Sequence, residues 1–199
     1  MPRVIPEEPF SVAPRTAAET REIFTVWMKS LIMNGRGCTV FDSNGGIIYR
    51  VDNYECGRRS EVVVMNCRGD VVLTLLKKKL SLVESWEGYG SGNLVQSRPV
   101  FQVRKPLRLT KGEIPYDIRV QAIGNNGTGR YIMEGIGTGK YSCRISKDTG
   151  ELIAEAKRKE SSTGVMLGKD VLTMVIEPKV DLTIAIGLLI VCGLMNNTL

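Results

Sequence analysis

Short runs of apolar residues, many alternating with polar ones and each closed by turn chemistry, fill the chain from about residue 21 to 177. Thr39, Val40 and Phe41 lead into Asp42-Ser43-Asn44-Gly45-Gly46, after which Ile47, Tyr49 and Val51 alternate with Ile48 and Arg50. Asn-Gly between two such runs predicts a hairpin, because both residues tolerate positive φ. The same grammar carries Val62 to Met65 through Asn66-Cys67-Arg68-Gly69-Asp70 into Val71 to Leu76. It also carries Tyr141, Cys143 and Ile145 through Lys147-Asp148-Thr149-Gly150 into Leu152 to Ala156. Tyr116, Ile118, Val120 and Ala122 share one face while Asp117, Arg119 and Gln121 share the other, the period of a strand with one buried side. Turn signals every ten or so residues predict an antiparallel all-β sandwich or barrel.

The C-terminus breaks this pattern. Leu182 to Met195 is apolar apart from Thr183, and Asp181 stands before it as an N-cap. As a helix over about 181–195 it spans about 21 Å, short of the roughly 30 Å hydrocarbon core of a bilayer, so no transmembrane span is expected. Gly187 and Gly193 are six residues apart and do not form a GxxxG dimer motif. A helix apolar all round must be covered on every side, since exposed apolar surface costs about 25 cal/mol per Å². Among antiparallel strands, the arrangement that does this is a closed barrel wound around the helix, wider than the eight-stranded kind that side chains alone fill. Closure also removes aggregation-prone edges. The expected fold is therefore mainly β, with Ile186 and Leu189 facing inward.

Composition narrows the chemistry. With 199 residues, 43% hydrophobic and 24% charged, the chain is expected to form one globular domain, residues 21–199, behind a tail at 1–20 that holds four of its eight prolines. The absence of His removes Ser-His-Asp, Cys-His and zinc-hydrolase mechanisms. Cys38, Cys56, Cys67, Cys143 and Cys192 are odd in number and contain no C-x-x-C, and they read as reduced thiols. Met1-Pro2-Arg3 followed by Glu7 and Glu8 offers neither a signal-peptide core nor a myristoylation glycine. An intracellular site is expected, cytoplasmic, peripheral at a membrane or nuclear.

A set of short motifs, in order, resembles the plant LURP-one-related family. They are Phe24-Thr25-Val26-Trp27-Met28-Lys29-Ser30-Leu31, Thr39-Val40-Phe41-Asp42 with Gly46, Tyr49-Arg50-Val51-Asp52-Asn53-Tyr54, Leu80-Ser81-Leu82 before Trp86-Glu87-Gly88, and Leu167-Gly168-Lys169-Asp170 through Glu177-Pro178-Lys179-Val180-Asp181. The resemblance covers roughly residues 20–195. It implies membership of the tubby C-terminal-like superfamily, a twelve-stranded barrel around a hydrophobic C-terminal helix, and kinship in fold with phospholipid scramblases. It further implies, by analogy with tubby proteins, membrane tethering and phosphoinositide binding, and a link to plant defence. Residues Ile123 to Arg130 depart from the family's usual acidic and aromatic stretch there. Fold alone does not settle function.

Gly135-Ile136-Gly137-Thr138-Gly139-Lys140 imitates a phosphate-binding loop, but Glu134 stands where the first glycine belongs and Tyr141 follows the Lys. It reads as a glycine-rich hairpin, and Gly88-Tyr89-Gly90-Ser91-Gly92 as a flexible loop. Three cationic clusters carry more: Lys77-Lys78-Lys79; Arg104, Lys105, Arg108 and Lys111; and Lys157-Arg158-Lys159. Each alone is ordinarily a solvated strand end or a gatekeeper beside a hydrophobic strand. Clusters sharing a face would attract anionic headgroups by about 1 kcal/mol per basic residue. The expected partners are thus an anionic phospholipid or phosphoinositide headgroup, or a protein. Nucleic acid is disfavoured, since no recognition-helix motif is present and only 6% of residues are aromatic. No catalytic constellation, cofactor motif or metal-ligand spacing, including the calcium site a scramblase would need, stands out.

Overall fold

A computed structural model describes residues 18–28, 36–56, 59–78, 83–91, 98–105, 116–120, 129–135, 142–160, 168 and 170–196. Twelve strands run in chain order: β1 (Glu22–Trp27), β2 (Arg36–Phe41), β3 (Ile47–Cys56), β4 (Arg59–Asn66), β5 (Val71–Lys78), β6 (Ser85–Gly90), β7 (Phe101–Arg104), β8 (Tyr116–Val120), β9 (Gly129–Gly135), β10 (Ser142–Lys147), β11 (Leu152–Arg158) and β12 (Val171–Ile176). Each strand pairs antiparallel with its neighbours in sequence, and β1 pairs antiparallel with β12, so the sheet closes into an up-and-down barrel. An even strand number makes this closure antiparallel throughout and leaves no sheet edge. The α-helix α1 (Leu182–Met195) fills the interior.

The tight turns form where the sequence predicts them. Asp42 Oδ1 accepts from the amides of Asn44 and Gly46 at 2.9 and 2.8 Å, and Gly45 takes φ 82°, which a side chain would strain. Asn66 repeats the device, its Oδ1 accepting from Arg68 and Asp70, both at 2.9 Å, with Gly69 in the same left-handed conformation. A register shift sits beside each of these hairpins, between Val40 and Phe41 and between Val64 and Met65.

The alternation read along the strands separates interior from exterior. Phe24 and Val26, Val62 and Val64, Leu73 and Leu75, Cys143 and Ile145, and Leu172 and Met174 face the helix and are buried. Asp181 caps α1 by accepting from the Ile184 amide at 2.9 Å. Thr183, the polar side chain of α1, meets the Tyr49 hydroxyl at 3.0 Å near the end of the barrel where the helix enters. Ile186 and Leu189 are 1% and 5% exposed, so the expectation that they face inward holds. Among the described residues no helix is long and apolar enough to cross a membrane.

One expectation fails. Gly88, Tyr89 and Gly90 lie within β6 rather than in a flexible loop. The glycine at 88 is required by packing: a Cβ there would stand 2.5 Å from the Phe101 ring, which is fully buried on the facing strand β7. Gly187 of α1 makes a second such approach, a Cβ there overlapping Leu73 Cδ2 and standing 3.1 Å from the same ring. Phe101 is thus seated between two glycines, one on the wall and one on the central helix.

Candidate functional site

The up-and-down order has a geometric consequence for the basic clusters. Successive strands alternate in direction, so the C-terminal ends of all odd-numbered strands reach the same rim of the barrel. Lys77 and Lys78 end β5, Arg104 ends β7 with Lys105 next to it, and Lys157 and Arg158 lead along β11 to Lys159. The described members of all three clusters therefore gather at one rim. The register adds detail: Lys78 pairs with Ser85 and Ser85 with Arg104, placing these three in one row across β5, β6 and β7. Lys79, Arg108 and Lys111 lie outside the described residues.

Carboxylates are interleaved with these cations. Lys77 Nζ lies 2.7 Å from Glu84 Oε1 and 5.8 Å from the centroid of the Trp86 ring. Lys105 Nζ reaches the other oxygen of Glu84 at 3.9 Å. Lys157 pairs with Glu155 of its own strand at 2.9 Å, and Lys159 donates to Thr25 Oγ1 at 2.8 Å. Arg104 is exposed and stands in register with Asp117 of β8. Exposed pairs of this kind contribute about 0.2–1 kcal/mol each, so an incoming anion competes with them at low cost. The rim is a lattice of weakly held ammonium groups.

Glu87 differs from the rest. Only 6% exposed on the outer wall, it accepts from Lys78 at 2.7 Å, from the Gln102 amide at 2.8 Å and from the Tyr89 hydroxyl at 2.8 Å. Desolvation first, and then the hydrogen bond to Glu87, push the Tyr89 phenol up to about 12. The cluster ties β5, β6 and β7 together and directs Lys78 along the wall. Sequence reading missed Glu84 and Glu87 as partners of the cations. Lys157 and Glu155, two apart on one strand, were legible from period-2 geometry.

The interior offers little chemistry. A cavity of about 20 Å³ lies between α1 and the β1–β2 and β11–β12 walls, lined by Val26, Cys38, Val40, Met174, Ile186 and Leu189 among others. It is apolar and no larger than a water molecule needs, far too small for a lipid chain or headgroup. Cys38 sits at its edge, its thiol pushed up to about 12 by burial and by the nearby Asp52 carboxylate. Burial and a hydrogen bond with Cys192 likewise raise the Cys143 thiol well above its ordinary value. These protonated, buried thiols are poor nucleophiles. Cys38, Cys143 and Cys192 are free and buried, whereas Cys67 is free and exposed on a hairpin tip. Gly135, which opens the sequence resembling a phosphate loop, ends β9 and pairs with Cys143 of antiparallel β10; residues 136–141 lie outside the described set.

Comparison with known proteins places the chain. A family profile described as LURP-one-related matches residues 22–193. The Arabidopsis thaliana protein LURP-one-related 11 is 40% identical over 181 residues, 88% of this chain and 78% of that protein. Protein LURP-one-related 4 of the same plant is 36% identical over 99% of this chain and 88% of its own length. An X-ray structure of a protein from Arabidopsis thaliana matches with a TM-score of 0.64 and 18% identity over 93% of this chain and 97% of that one, a likeness of fold. With a profile match across every strand and most of the core helix, and with relatives this similar over most of their length, the chain belongs to the LURP-one-related family.

Proposed function

We propose that this barrel is a non-enzymatic module that docks on anionic membrane lipid, phosphoinositide-like headgroups in particular, through the rim bearing Lys77, Lys78, Arg104, Lys105, Lys157, Arg158 and Lys159. The observation that carries this reading is the strand parity that brings three clusters, far apart in sequence, to one end of the barrel. Lys79, Arg108 and Lys111 extend the same clusters in sequence. Each basic group near an anionic surface adds about 1 kcal/mol, so a rim of this size would be held in a salt-dependent way. A role in plant defence signalling, as a tethered tubby-like regulator, is supported only by the family resemblance. The burial of Ile186 and Leu189 inside the barrel counts against a scramblase-like tail that inserts into lipid.

Co-sedimentation with neutral, phosphatidylserine and phosphoinositide vesicles at low and physiological salt tests the reading. Binding to anionic vesicles should weaken with salt. It should fall by about fivefold per charge in K77Q/K78Q, R104Q/K105Q and K157Q/K159Q, as about 1 kcal/mol each implies. Failure to sediment with any vesicle, or binding indifferent to all three variants, would overturn it and direct the search to a protein partner.

A further inference from the structure

The cross-strand register sets Gly135 of β9, Cys143 of β10 and Ala156 of β11 side by side on the inner face of the barrel. The neighbouring inner row along the same strands holds Met133, Ile145 and Ala154. Flanked by a glycine and an alanine, Cys143 sits where the wall is recessed. The last turns of α1 enter this recess. A Cβ on Gly135 would overlap Nδ2 of Asn196, the residue that caps the helix, and the same amide donates to Cys192 Sγ at 3.5 Å. A hydrogen bond joins the Cys192 and Cys143 side chains directly. Both residues are 0% exposed.

Cysteine packs as a small hydrophobe, so either residue alone is an ordinary filler of the core. The contact between them adds a capability that filler lacks. One thiol belongs to the wall and the other to the helix threaded through it, and their sulfurs already meet. Gly135 closes β9, an odd-numbered strand, so this contact lies toward the rim where the basic clusters gather.

We propose that Cys143 and Cys192 are a disulfide-forming pair, a cross-link site that staples the last turns of α1 to β10. A low-molecular-weight disulfide, such as glutathione disulfide, is the oxidant. The thiolate of one cysteine attacks a sulfur of the oxidant, forming a mixed disulfide and displacing one glutathione thiolate. The thiolate of the other cysteine then attacks the protein sulfur of that mixed disulfide, forming the Cys143–Cys192 bond and displacing the second glutathione. Two cysteine thiols are oxidised, one glutathione disulfide is reduced to two thiols, and the two protons pass to them. Burial keeps the Cys143 thiol protonated and out of reach in the closed barrel, so exchange proceeds when α1 or the barrel opens. Once made, the bond is enclosed and shielded from reductants in solution.

The wild-type protein, held in urea below its unfolding midpoint so that openings are frequent, is incubated with glutathione disulfide. It is then alkylated with iodoacetamide in full denaturant and mapped by peptide mass spectrometry. The map should show Cys143 linked to Cys192 within one chain. C143A and C192A should each lose that cross-link, and C67A should keep it. Freed of urea and oxidant, the cross-linked protein should melt about 4 °C or more above the reduced protein, and dithiothreitol in urea should abolish the gain. Glutathione carried by the exposed Cys67 shows that the oxidant is active. The proposal is overturned if Cys67 carries glutathione while Cys143 and Cys192 stay unlinked, or if Cys192 links to Cys38 instead. It is equally overturned if the cross-linked protein melts below the reduced one, because the bond would then be foreign to the native packing.

Discussion

Gly187→Ala separates the effect of helix propensity from that of barrel packing, because the two predict opposite signs. In an isolated helix the substitution gains about 1 kcal/mol. Inside this barrel the new methyl overlaps Leu73 Cδ2 and stands 3.1 and 3.2 Å from two atoms of the Phe101 ring. Leu73 is 1% exposed and has no open space to enter. Phe101 has little room to retreat, for the same ring atoms lie against Gly88 on the neighbouring strand. Overpacking of this kind costs up to about 3 kcal/mol, which leaves a net loss of about 2 kcal/mol. In a domain of this size that corresponds to a fall of about 4–8 °C in melting temperature. Removing the obstacle should invert the result: on a Leu73→Ala background, itself less stable, Gly187→Ala should become neutral or stabilising. Scanning calorimetry or denaturant titration of the four proteins completes the cycle. A single variant as stable as wild type, with no coupling to Leu73, would mean that α1 does not run through the barrel.

Other outcomes follow from the same packing. A chain ended after Val180 loses the helix around which twelve strands close, and should give no soluble, protease-resistant barrel; recovery of one by limited proteolysis and circular dichroism would contradict a structural role for α1. The Cys38 thiol stays protonated in the folded state up to about 12 but ionises near 9 when unfolded, so the folded state binds the extra proton between those values. Its stabilising contribution is therefore complete below pH 9 and lost as pH rises toward 12, at about 1.4 kcal/mol per pH unit, and urea midpoints above pH 9 should fall less steeply in C38A. Under native conditions iodoacetamide should modify Cys67 rapidly and spare Cys38, Cys143 and Cys192 until denaturant is added, with peptide mass spectrometry as the readout. Native labelling of Cys192 at the rate of Cys67 would place α1 in solvent.

Local chemistry made much of the architecture legible. Asp42 and Asn66 each write a turn into five residues, since their side-chain oxygens satisfy the amides that the reversal frees. Leu182 to Met195 is apolar on every face, which demands a surrounding wall, and Asp181 marks where the helix begins. Gly88 to Gly90 misled because glycine signals both flexible loops and close packing, and only the Phe101 ring on β7 distinguishes the two. The basic clusters were visible as charge runs, but their carboxylate partners Glu84 and Glu87 come from β6 and the segment before it, at sequence separations that no period links to Lys77 and Lys78.

Sequence by itself determined the hairpins, the inward and outward faces of the strands, and the need for an enclosed helix, because turn geometry, side-chain alternation and solvent exclusion all act over a few residues. Only the tertiary structure decided how those parts meet. The strand direction that gathers Lys77, Arg104 and Lys157 at one rim, and the register that sets Cys143 between Gly135 and Ala156, depend on how many strands close the ring and where each pair aligns. Both are fixed by contacts among distant residues around a single core, and that long-range cooperation is written in no local segment.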